Sequence, residues 1–144
     1  MLYISHRGNL EGLEYIDEAI FKGYDVEIDL RVQDGNLFLG HDEPQYLITS
    51  SWLTERRNNL WIHVKDYKAL VHIMETGLKF FCHEGDRYTL TSNGYIWSHD
   101  LENEMTDKCI VPLLSSESVE GYNQNGFYAV CSDYIYECER KFDN

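Results

Sequence analysis

Two acidic side chains on one predicted strand are the first candidates for chemistry in this sequence. Glu27 and Asp29 alternate with the apolar residues Val26, Ile28 and Leu30, which is the period-two pattern of a strand with one apolar and one polar face. The two carboxylates therefore point the same way, roughly 6–7 Å apart along the strand, and can converge on one hard cation. Alternating carboxylates are also typical of the solvated side of a strand, so both interpretations stay open.

A histidine follows this acidic strand in the sequence. The polar face leads past a turn at Asp34-Gly35-Asn36 and an apolar run, Leu37-Phe38-Leu39, into Gly40-His41-Asp42. An imidazole titrates near neutral pH and can serve as a general acid or base. The sequence therefore brings a candidate proton-transfer group close to a candidate cation site.

The elements that must position these groups alternate between strands and helices or loops. Besides the acidic strand that opens at Asp25, apolar patterning predicts strands at residues 2–5, 60–65, 78–82, 94–98, 109–114 and 127–131. Spacing or capping predicts helices at residues 11–22, 51–57, 67–75 and 116–125, with Ser50 or Ser51 and Ser116 as candidate caps. This repeated strand–crossover–strand order favours a mostly parallel sheet in one domain covering residues 1–144.

Polar residues concentrate at or just past the carboxyl ends of the predicted strands. They are His6, Arg7, Glu27, Asp29, His41, His63, Lys65, His83, His99 and Asp133. Parallel barrels and doubly wound sheets both place their chemistry at this edge, and contributions from so many strands favour a closed barrel. Because 144 residues are too few for an ordinary eight-stranded barrel, we expect an α/β fold, a truncated TIM-like barrel of about seven strands with several helices shortened or missing.

The net charge of −13 restricts the partners of the protein. Twelve Lys and Arg residues cannot easily build the basic face that nucleic acid or an anionic membrane surface requires, so we expect neither as a partner. A small phosphodiester or phosphorylated molecule stays possible if a metal ion, or bases such as Arg7 and Lys65, supply local positive charge.

Targeting signals and cysteine spacing indicate the compartment. No secretory pattern precedes His6, and no apolar run approaches the ~20 residues that span a bilayer. The four cysteines lack a short-spaced zinc pattern, and we expect Cys82, Cys109 and Cys131 to be small apolar strand residues with reduced thiols. We therefore expect a cytoplasmic protein.

The ordered motifs resemble those of a known enzyme family. His6-Arg7-Gly8, Glu27-x-Asp29, His41-Asp42, an apolar strand ending in Lys65 and a late Ser132-Asp133 are similar to the glycerophosphodiester phosphodiesterase family. That family is a metal-dependent TIM barrel related in fold to phosphatidylinositol phospholipase C. The similarity covers the segment up to Lys65 well and the last strand loosely.

The resemblance implies a phosphodiester hydrolase that acts on a small phosphodiester. It implies that His6 and His41 form an acid/base pair and that Arg7 and Lys65 contact the phosphate. It further implies a divalent ion, Mg²⁺, Ca²⁺ or Mn²⁺, bound by Glu27 and Asp29.

The third metal ligand departs from the family pattern. Where the family has a carboxylate, this chain has His63. Imidazole can bind a metal and shifts the preference toward Mn²⁺ or Zn²⁺, but an inward-facing structural histidine fits the sequence equally well. Lys65 is likewise a candidate for a buried ion pair with Glu27 or Asp29 in the absence of a metal.

Further residues and departures leave other functions open. Strand-end positions make His83 and His99 candidates for the mouth of the barrel, whereas His72 is expected on a helix and Asp133 as a barrel-end cap.

The family's P-E-N-T turn is replaced by Asn9-Leu10-Glu11-Gly12, and the insertion that usually follows the His-Asp motif is missing. The alternatives are a degenerate barrel that binds a phosphorylated ligand without turnover, and a structural or interaction protein, as a homodimer that covers faces left bare by missing helices.

Overall fold

The computed structural model describes the backbone of residues 1–143 and the side chains among them except that of Asn9. These residues form a mixed α/β fold. The strands are β1 (Leu2–Ser5), β2 (Asp25–Gln33), β3 (Asn36–Leu39), β4 (Tyr46–Ile48), β5 (Leu60–Val64), β6 (Phe80–Phe81), β7 (Tyr88–Leu90), β8 (Ile96–Ser98), β9 (Cys109–Pro112) and β10 (Ala129–Ser132). The α-helices are α1 (Leu13–Phe21), α2 (Ser50–Glu55), α3 (Tyr67–Met74), α4 (Ser116–Gly121) and α5 (Ile135–Phe142), and a 3₁₀ turn covers Gly8–Leu10.

Seven strands form a parallel row in the order β6-β5-β2-β1-β10-β9-β8. The predicted parallel sheet is therefore confirmed. Phe81 of β6 and Trp97 of β8 come from opposite ends of this row, yet their rings stack with centroids 4.3 Å apart. The sheet therefore curls until its two ends approach each other, which is consistent with a truncated α/β barrel.

Antiparallel strands join the parallel row at β2, which lies inside the row, and at β8, which ends it. β3 pairs with β2 and β4 pairs with β3, while β7 pairs with β8. The turn between β2 and β3 consists of Asp34 and Gly35, whose φ angles are 52° and 77°, as a tight two-residue hairpin requires. β4 and β7 were not predicted, because strands of three residues are too short to show a clear alternation.

The alternation of β2 sorts its side chains between two environments. Val26, Ile28 and Leu30 are fully buried in a cluster that also contains residues of α1, α2 and α3, so this face packs against helices. Glu27 and Asp29, on the opposite face, are only 2% and 1% exposed. The interpretation of these carboxylates as the solvated side of a strand is therefore wrong, because the curled sheet closes over that face.

The enclosed face of the sheet carries large rings and small side chains. This inner cluster consists of Ile4, Trp61, Phe81, Trp97, Ile110, Ala129 and Cys131, contributed by strands of the parallel row. At the start of β2, next to this cluster, the buried Asp25 carboxylate accepts hydrogen bonds from Trp61 Nε1 at 2.8 Å and Asn59 Nδ2 at 3.1 Å. The inner cluster thus fills one end of the enclosed space and leaves the carboxyl ends of the strands for polar groups.

The helices are shorter than predicted, and their caps differ. Thr49, not Ser50 or Ser51, caps α2 by accepting from Trp52 N, and Ser115, not Ser116, caps α4. No element was predicted after Asp133, but α5 follows and buries Ile135 and Cys138 against β1 and β10. The sequence did not reveal α5, because only two of its positions are buried and the residues between them are mostly charged or polar, so no clear apolar stripe is visible.

The environment of the cysteines was predicted in part. Cys109 and Cys131 are buried strand residues as expected, whereas Cys82 is exposed because β6 ends at Phe81. All four thiols are free. Among residues 1–143, no helix is both long enough and apolar enough to cross a membrane.

Candidate active site

Five of the chain's six histidines line one cavity of about 240 Å³. The cavity lies where the parallel strands end, because inward-facing residues that follow neighbouring strands meet at this edge. Its lining consists of His6, Arg7, Glu27, His41, His63, Lys65, Phe81, His83, Glu84, Gly85, Trp97, His99, Pro112 and Leu114. Every residue predicted for the site is in this lining except Asp29, whose Oδ1 lies 3.2 Å from Nδ1 of the lining residue His63.

The two carboxylates and one imidazole form the cluster best suited to bind a cation. Glu27, Asp29 and His63 each offer one ligand atom, and these atoms lie within 4.8 Å of one another. β2 and β5 are paired with Asp29 directly opposite His63, which places Asp29 Oδ1 3.2 Å from His63 Nδ1. The parallel register between two strands is thus what joins the third candidate ligand to the acidic pair.

Burial and neighbouring charges shift the pKa values of the two carboxylates in opposite directions. Burial raises the pKa of Glu27 well above its usual value and the charge of Asp29 adds to the effect, although Arg7 and Lys65 oppose it. Burial also acts to raise the pKa of Asp29, but the hydrogen bond and charge of His63, together with Lys65, hold that pKa below its usual value. The site therefore favours one negative charge and resists the second.

The donor set fits a divalent cation. Glu27 Oε1 is buried and has no hydrogen-bond partner among the described residues. Leaving such an atom unpartnered costs free energy, and a metal ion is one group that satisfies a buried carboxylate oxygen. Two carboxylates with an imidazole suit Mn²⁺ or Zn²⁺ better than Ca²⁺, which prefers oxygen ligands throughout.

His6 is held between two carboxylates at the carboxyl end of β1. Its Nδ1 lies 3.0 Å from Asp133 Oδ1, and its Nε2 lies 3.6 Å from Glu27 Oε2. Glu27 Oε2 also accepts the backbone N–H of Arg7 at 2.9 Å, with Arg7 in the left-handed region at φ 47°. A Cβ at Gly8 would overlap the Val26 side chain, so the His6-Arg7-Gly8 motif needs glycine at its third position to pack against β2.

His41 is presented by a tight turn after β3. Gly40 allows this turn, because a Cβ there would overlap the backbone carbonyl of Glu43. Arg31 fixes the turn from β2 by donating Nε to Gly40 O at 2.8 Å and Nη2 to His41 O at 2.5 Å. The His41 ring lies at the rim of the cavity, with Nδ1 2.8 Å from the exposed Asp42 carboxylate.

Two cations face this group of acidic and imidazole side chains. Arg7 and Lys65 both line the cavity, and both act to lower the pKa of Glu27. Lys65 follows β5 and is anchored through its backbone N–H to Leu30 O at 2.9 Å. These side chains can supply the local positive charge that an anionic ligand needs in a protein of net charge −13.

Three cavity residues received no catalytic or ligand role from the sequence, although two of them, His83 and His99, were expected as candidates for the mouth of the barrel. Asp133 was interpreted as a barrel-end cap but contacts His6, and the pairing of β1 with β10 is what brings them together. His83 and His99 line the cavity, each with a buried ring nitrogen that lacks a partner among the described residues. Burial lowers the pKa of His83 to about 4 and lowers that of His99, with neighbouring histidines adding to both effects. The feature of the sequence that pointed to His83 and His99 was their position at the ends of predicted strands.

The remaining histidine lies outside the site, as predicted. His72 of α3 borders a separate, open groove of about 680 Å³ between the β3–β4 hairpin and α3, where its Nε2 lies 3.4 Å from Ser50 Oγ. This groove is larger than the histidine-lined cavity but contains no candidate metal cluster among the described residues.

No family model matches this chain, and no curated protein or solved structure is significantly similar to it. The resemblance to the glycerophosphodiester phosphodiesterases therefore depends on the short motifs alone. It stays a prediction.

Proposed function

We propose that this protein is a metal-dependent phosphodiester hydrolase, similar to glycerophosphodiesterases, that acts on a small phosphodiester. The observation that supports this most strongly is the presence, in one cavity, of a buried Glu27–Asp29–His63 cluster, two further histidines and two cations. Phosphodiester cleavage needs charge neutralisation at the phosphate, a base for the nucleophile and an acid for the leaving group.

Each requirement has a candidate among the chain's own residues. Glu27, Asp29 and His63 would hold the divalent ion, which supplies Lewis-acid charge neutralisation on phosphate oxygens when bound. Arg7 and Lys65 bind and orient the phosphate from the cavity wall. The negative field of the protein makes these two cations necessary, since it repels a free anion.

Proton transfer is assigned to the two histidines that flank the acidic cluster. Asp133 accepts from His6 Nδ1 in one tautomer, which leaves Nε2 directed toward Glu27 and the cavity. His41 lies at the rim, where the exposed carboxylate of Asp42 can orient it in the same way. One histidine in its neutral form and one in its protonated form would serve as base and acid, so a bell-shaped pH profile is expected.

Hydrolysis of bis-p-nitrophenyl phosphate tests this proposal. We expect turnover with Mn²⁺, Mg²⁺ or Ca²⁺ that is lost in EDTA and falls roughly 10²-fold or more in His41→Ala, the effect typical of removing a positioned acid or base. His72→Ala, which removes a histidine outside the cavity, should retain full activity. Folded protein that hydrolyses no diester with any of these ions would contradict the proposal.

Glu27→Gln provides a readout of the metal site that does not depend on activity. In EDTA this variant should be more stable than the wild type by about 1 kcal/mol, because it removes a buried carboxyl beside Asp29 and can still accept from Arg7 N. Mn²⁺ should raise the melting temperature of the wild type but not that of Glu27→Gln. Metal binding without turnover would instead indicate a barrel that binds a phosphorylated ligand without cleaving it.

A further inference from the structure

The outward face of α3 carries more exposed large apolar side chains than any other helix among the described residues. Tyr67, Val71 and Met74 are 79%, 50% and 65% exposed. Their spacing of four and three residues places them on one side of the helix, opposite Ala69 and Ile73, which are buried on the side that packs against the sheet. A helix that is apolar on both sides indicates that its outward face is covered by another surface.

Two residues of opposite charge border this apolar stripe. Lys68 and Glu75 are exposed, and neither side chain forms an ion pair among residues 1–143. At the period of an α-helix they lie about 40–60° to one side of Val71, while Tyr67 and Met74 lie about as far to the other side. Each flank therefore has one residue before Val71 and one after it, and the charged flank is positive at one end and negative at the other.

A face of this kind is complementary to itself when two helices meet antiparallel. A two-fold axis through Val71 sets each flank against the same flank of the second copy and reverses its direction. Lys68 then faces Glu75 of the second copy, and the opposed positions differ by one residue, about 1.5 Å along the helix. Tyr67 faces Met74 of the second copy in the same way. A parallel pair would instead oppose the charged flank to the apolar one.

The charge of the molecule also favours this face. A net charge of −13 makes two copies of the protein repel each other at most approaches. The outward face of α3 carries one charge of each sign, so a second copy is repelled least here. Charge complementarity thus selects a second copy of this chain as the occupant of the face.

The open groove of about 680 Å³ adjoins the charged flank. Its lining includes Lys68 and Glu75 on α3, with Leu37 and Ile48 on the hairpin across from them. In an antiparallel pair the grooves of the two copies lie side by side. The aliphatic stem of Lys68 can then cover apolar surface in the groove of the second copy while its ammonium group reaches Glu75 there.

We propose that this protein forms a two-fold symmetric dimer in which α3 packs antiparallel against α3 of a second copy, with Val71 at the axis and a Lys68–Glu75 ion pair at each end. The inference does not depend on the proposed function, since none of these three residues lines the histidine-lined cavity. The sequence favoured a homodimer that covers faces left bare by missing helices, whereas this dimer uses the outward face of a helix that is present.

The size of the contact sets the expected affinity. The eight residues of α3 span about 12 Å, so the contact falls short of the roughly 800 Å² per partner that stable interfaces bury. We therefore expect the dimer to dissociate in the micromolar range or more weakly.

Sedimentation equilibrium of the full chain tests this association. Between about 10 µM and 1 mM protein, the mass of the wild type should rise from 17.0 kDa toward twice that value. Val71→Asp should raise the dissociation constant at least tenfold, because the axis brings two carboxylates face to face. Phe21→Asp, the same type of change at a side chain that is 91% exposed on α1, is the matched control and should associate as the wild type does.

Charge reversal tests the orientation of the helices. Lys68→Glu and Glu75→Lys should each weaken the dimer about tenfold, because each replaces two attractive pairs with two repulsive ones. The chain with both substitutions should regain the affinity of the wild type. An equimolar mixture of the two single variants should form a mixed dimer, since every opposed pair in it again has opposite charges.

Two results would overturn the inference. One is a folded wild-type protein that stays at 17.0 kDa over the whole concentration range, which would leave the α3 face to solvent or to a different protein. The other is association that Val71→Asp does not weaken or that the double reversal does not restore, which would assign the dimer to another face or orientation. The melting temperature of each variant shows that it is folded, and the exposed charge-reversal variants keep the test decisive if Val71→Asp unfolds. Hydrolysis of bis-p-nitrophenyl phosphate should be equal in Val71→Asp and the wild type, so failure of either proposal leaves the other standing.

Discussion

His6 shows how much of the proposed chemistry depends on single contacts. One ring nitrogen faces Asp133 at 3.0 Å and the other faces Glu27 at 3.6 Å, so the imidazole bridges an exposed carboxylate and a buried one. The exposed partner can be removed with little effect on packing, because the Asp133 side chain is 47% exposed. In the proposed mechanism, Asp133 acts only through His6 and is therefore a positioning residue.

Asp133→Asn should slow turnover without unfolding the protein. We expect kcat for bis-p-nitrophenyl phosphate to fall about tenfold or more, part of the roughly 10²–10⁴-fold that a positioned acid or base contributes, because the amide no longer selects the His6 tautomer. KM should change little, because Asp133 does not touch the substrate in the proposed mechanism. Asp107→Asn, at another exposed aspartate, is the matched control, and an unchanged kcat in Asp133→Asn would show that His6 needs no orienting carboxylate.

At the scale of elements, the turn between β3 and β4 decides where His41 lies. Gly40 N bonds to Asp29 O at 3.1 Å and Gln45 N to Leu39 O at 2.9 Å, so the turn is tied to the acidic strand itself. Arg31 adds two hydrogen bonds from β2. A change in this turn should therefore affect both stability and the proposed proton transfer.

Gly40→Ala should displace this turn. The new Cβ would overlap the Glu43 carbonyl oxygen, and overpacking against backbone of this kind costs about 1–3 kcal/mol in the free energy of unfolding. Urea unfolding measures the loss, and the hydrolase assay should show a further decrease beyond that of the folded fraction. Gly121→Ala, where a Cβ meets nothing within 4 Å, should be neutral. Equal stability of the two variants would mean that the turn relaxes freely.

A second inter-element contact ties α1 to the end of α2. Arg56 donates Nε to Asp17 Oδ1 at 2.6 Å and Nη2 to Asp17 Oδ2 at 3.0 Å, and its guanidinium also lies 4.3 Å from the Trp52 ring. The hydrogen bond from Arg56 lowers the pKa of Asp17 below its usual value, although partial burial opposes it. The pair is solvent-exposed on the Asp17 side, so its contribution is screened.

The stability contributed by this pair should depend on pH. Because the folded-state pKa of Asp17 is depressed, the stabilisation is present above the unfolded value of about 4 and is lost as pH falls through the folded value. We expect Asp17→Asn to lower the free energy of unfolding by about 0.5–1 kcal/mol at neutral pH and by progressively less below about pH 4. In an Arg56→Gln background the substitution should have no effect, and a pH-independent loss there would point to another cause.

At the scale of the whole molecule, the curl of the sheet creates the site. A flat row of seven parallel strands would leave the inner face of β2 open to water, whereas closure buries Glu27 and Asp29 and encloses the cavity. The two ends of the row, β6 and β8, approach each other through stacked rings, and Ser92 N donates to Phe80 O at 2.8 Å across the same region. Trp97 is the largest of these rings.

Trp97→Ala should therefore destabilise the molecule strongly. Truncating a buried tryptophan costs about 3–5 kcal/mol, and here it would also loosen the contact between the ends of the parallel row. Trp97→Phe should recover most of the stability because it keeps a ring against Phe81. Tyr88→Ala, at a ring that is 65% exposed on the neighbouring β7, should change the free energy of unfolding by no more than about 0.5 kcal/mol. A loss below 1 kcal/mol in Trp97→Ala would contradict this role.

The sequence by itself determined that the sheet is mostly parallel, that Glu27 and Asp29 share one face of their strand and that polar residues gather at strand ends. These features follow from local patterns, since the period of a strand and the order of strands and crossovers can be read along the chain. The short strands β4 and β7 and the helix α5 were missed because each carries too few buried positions to show a period.

Only the tertiary structure decided which of these polar residues contact one another. Asp133 and His6 are 127 positions apart and meet because β1 pairs with β10, while His63 faces Asp29 because β5 pairs with β2 in one particular register. Burial of the carboxylates depends on closure of the whole sheet, to which distant strands contribute. A strand pattern specifies a direction for each side chain, but its partner and its exposure to water depend on residues that are close only after folding.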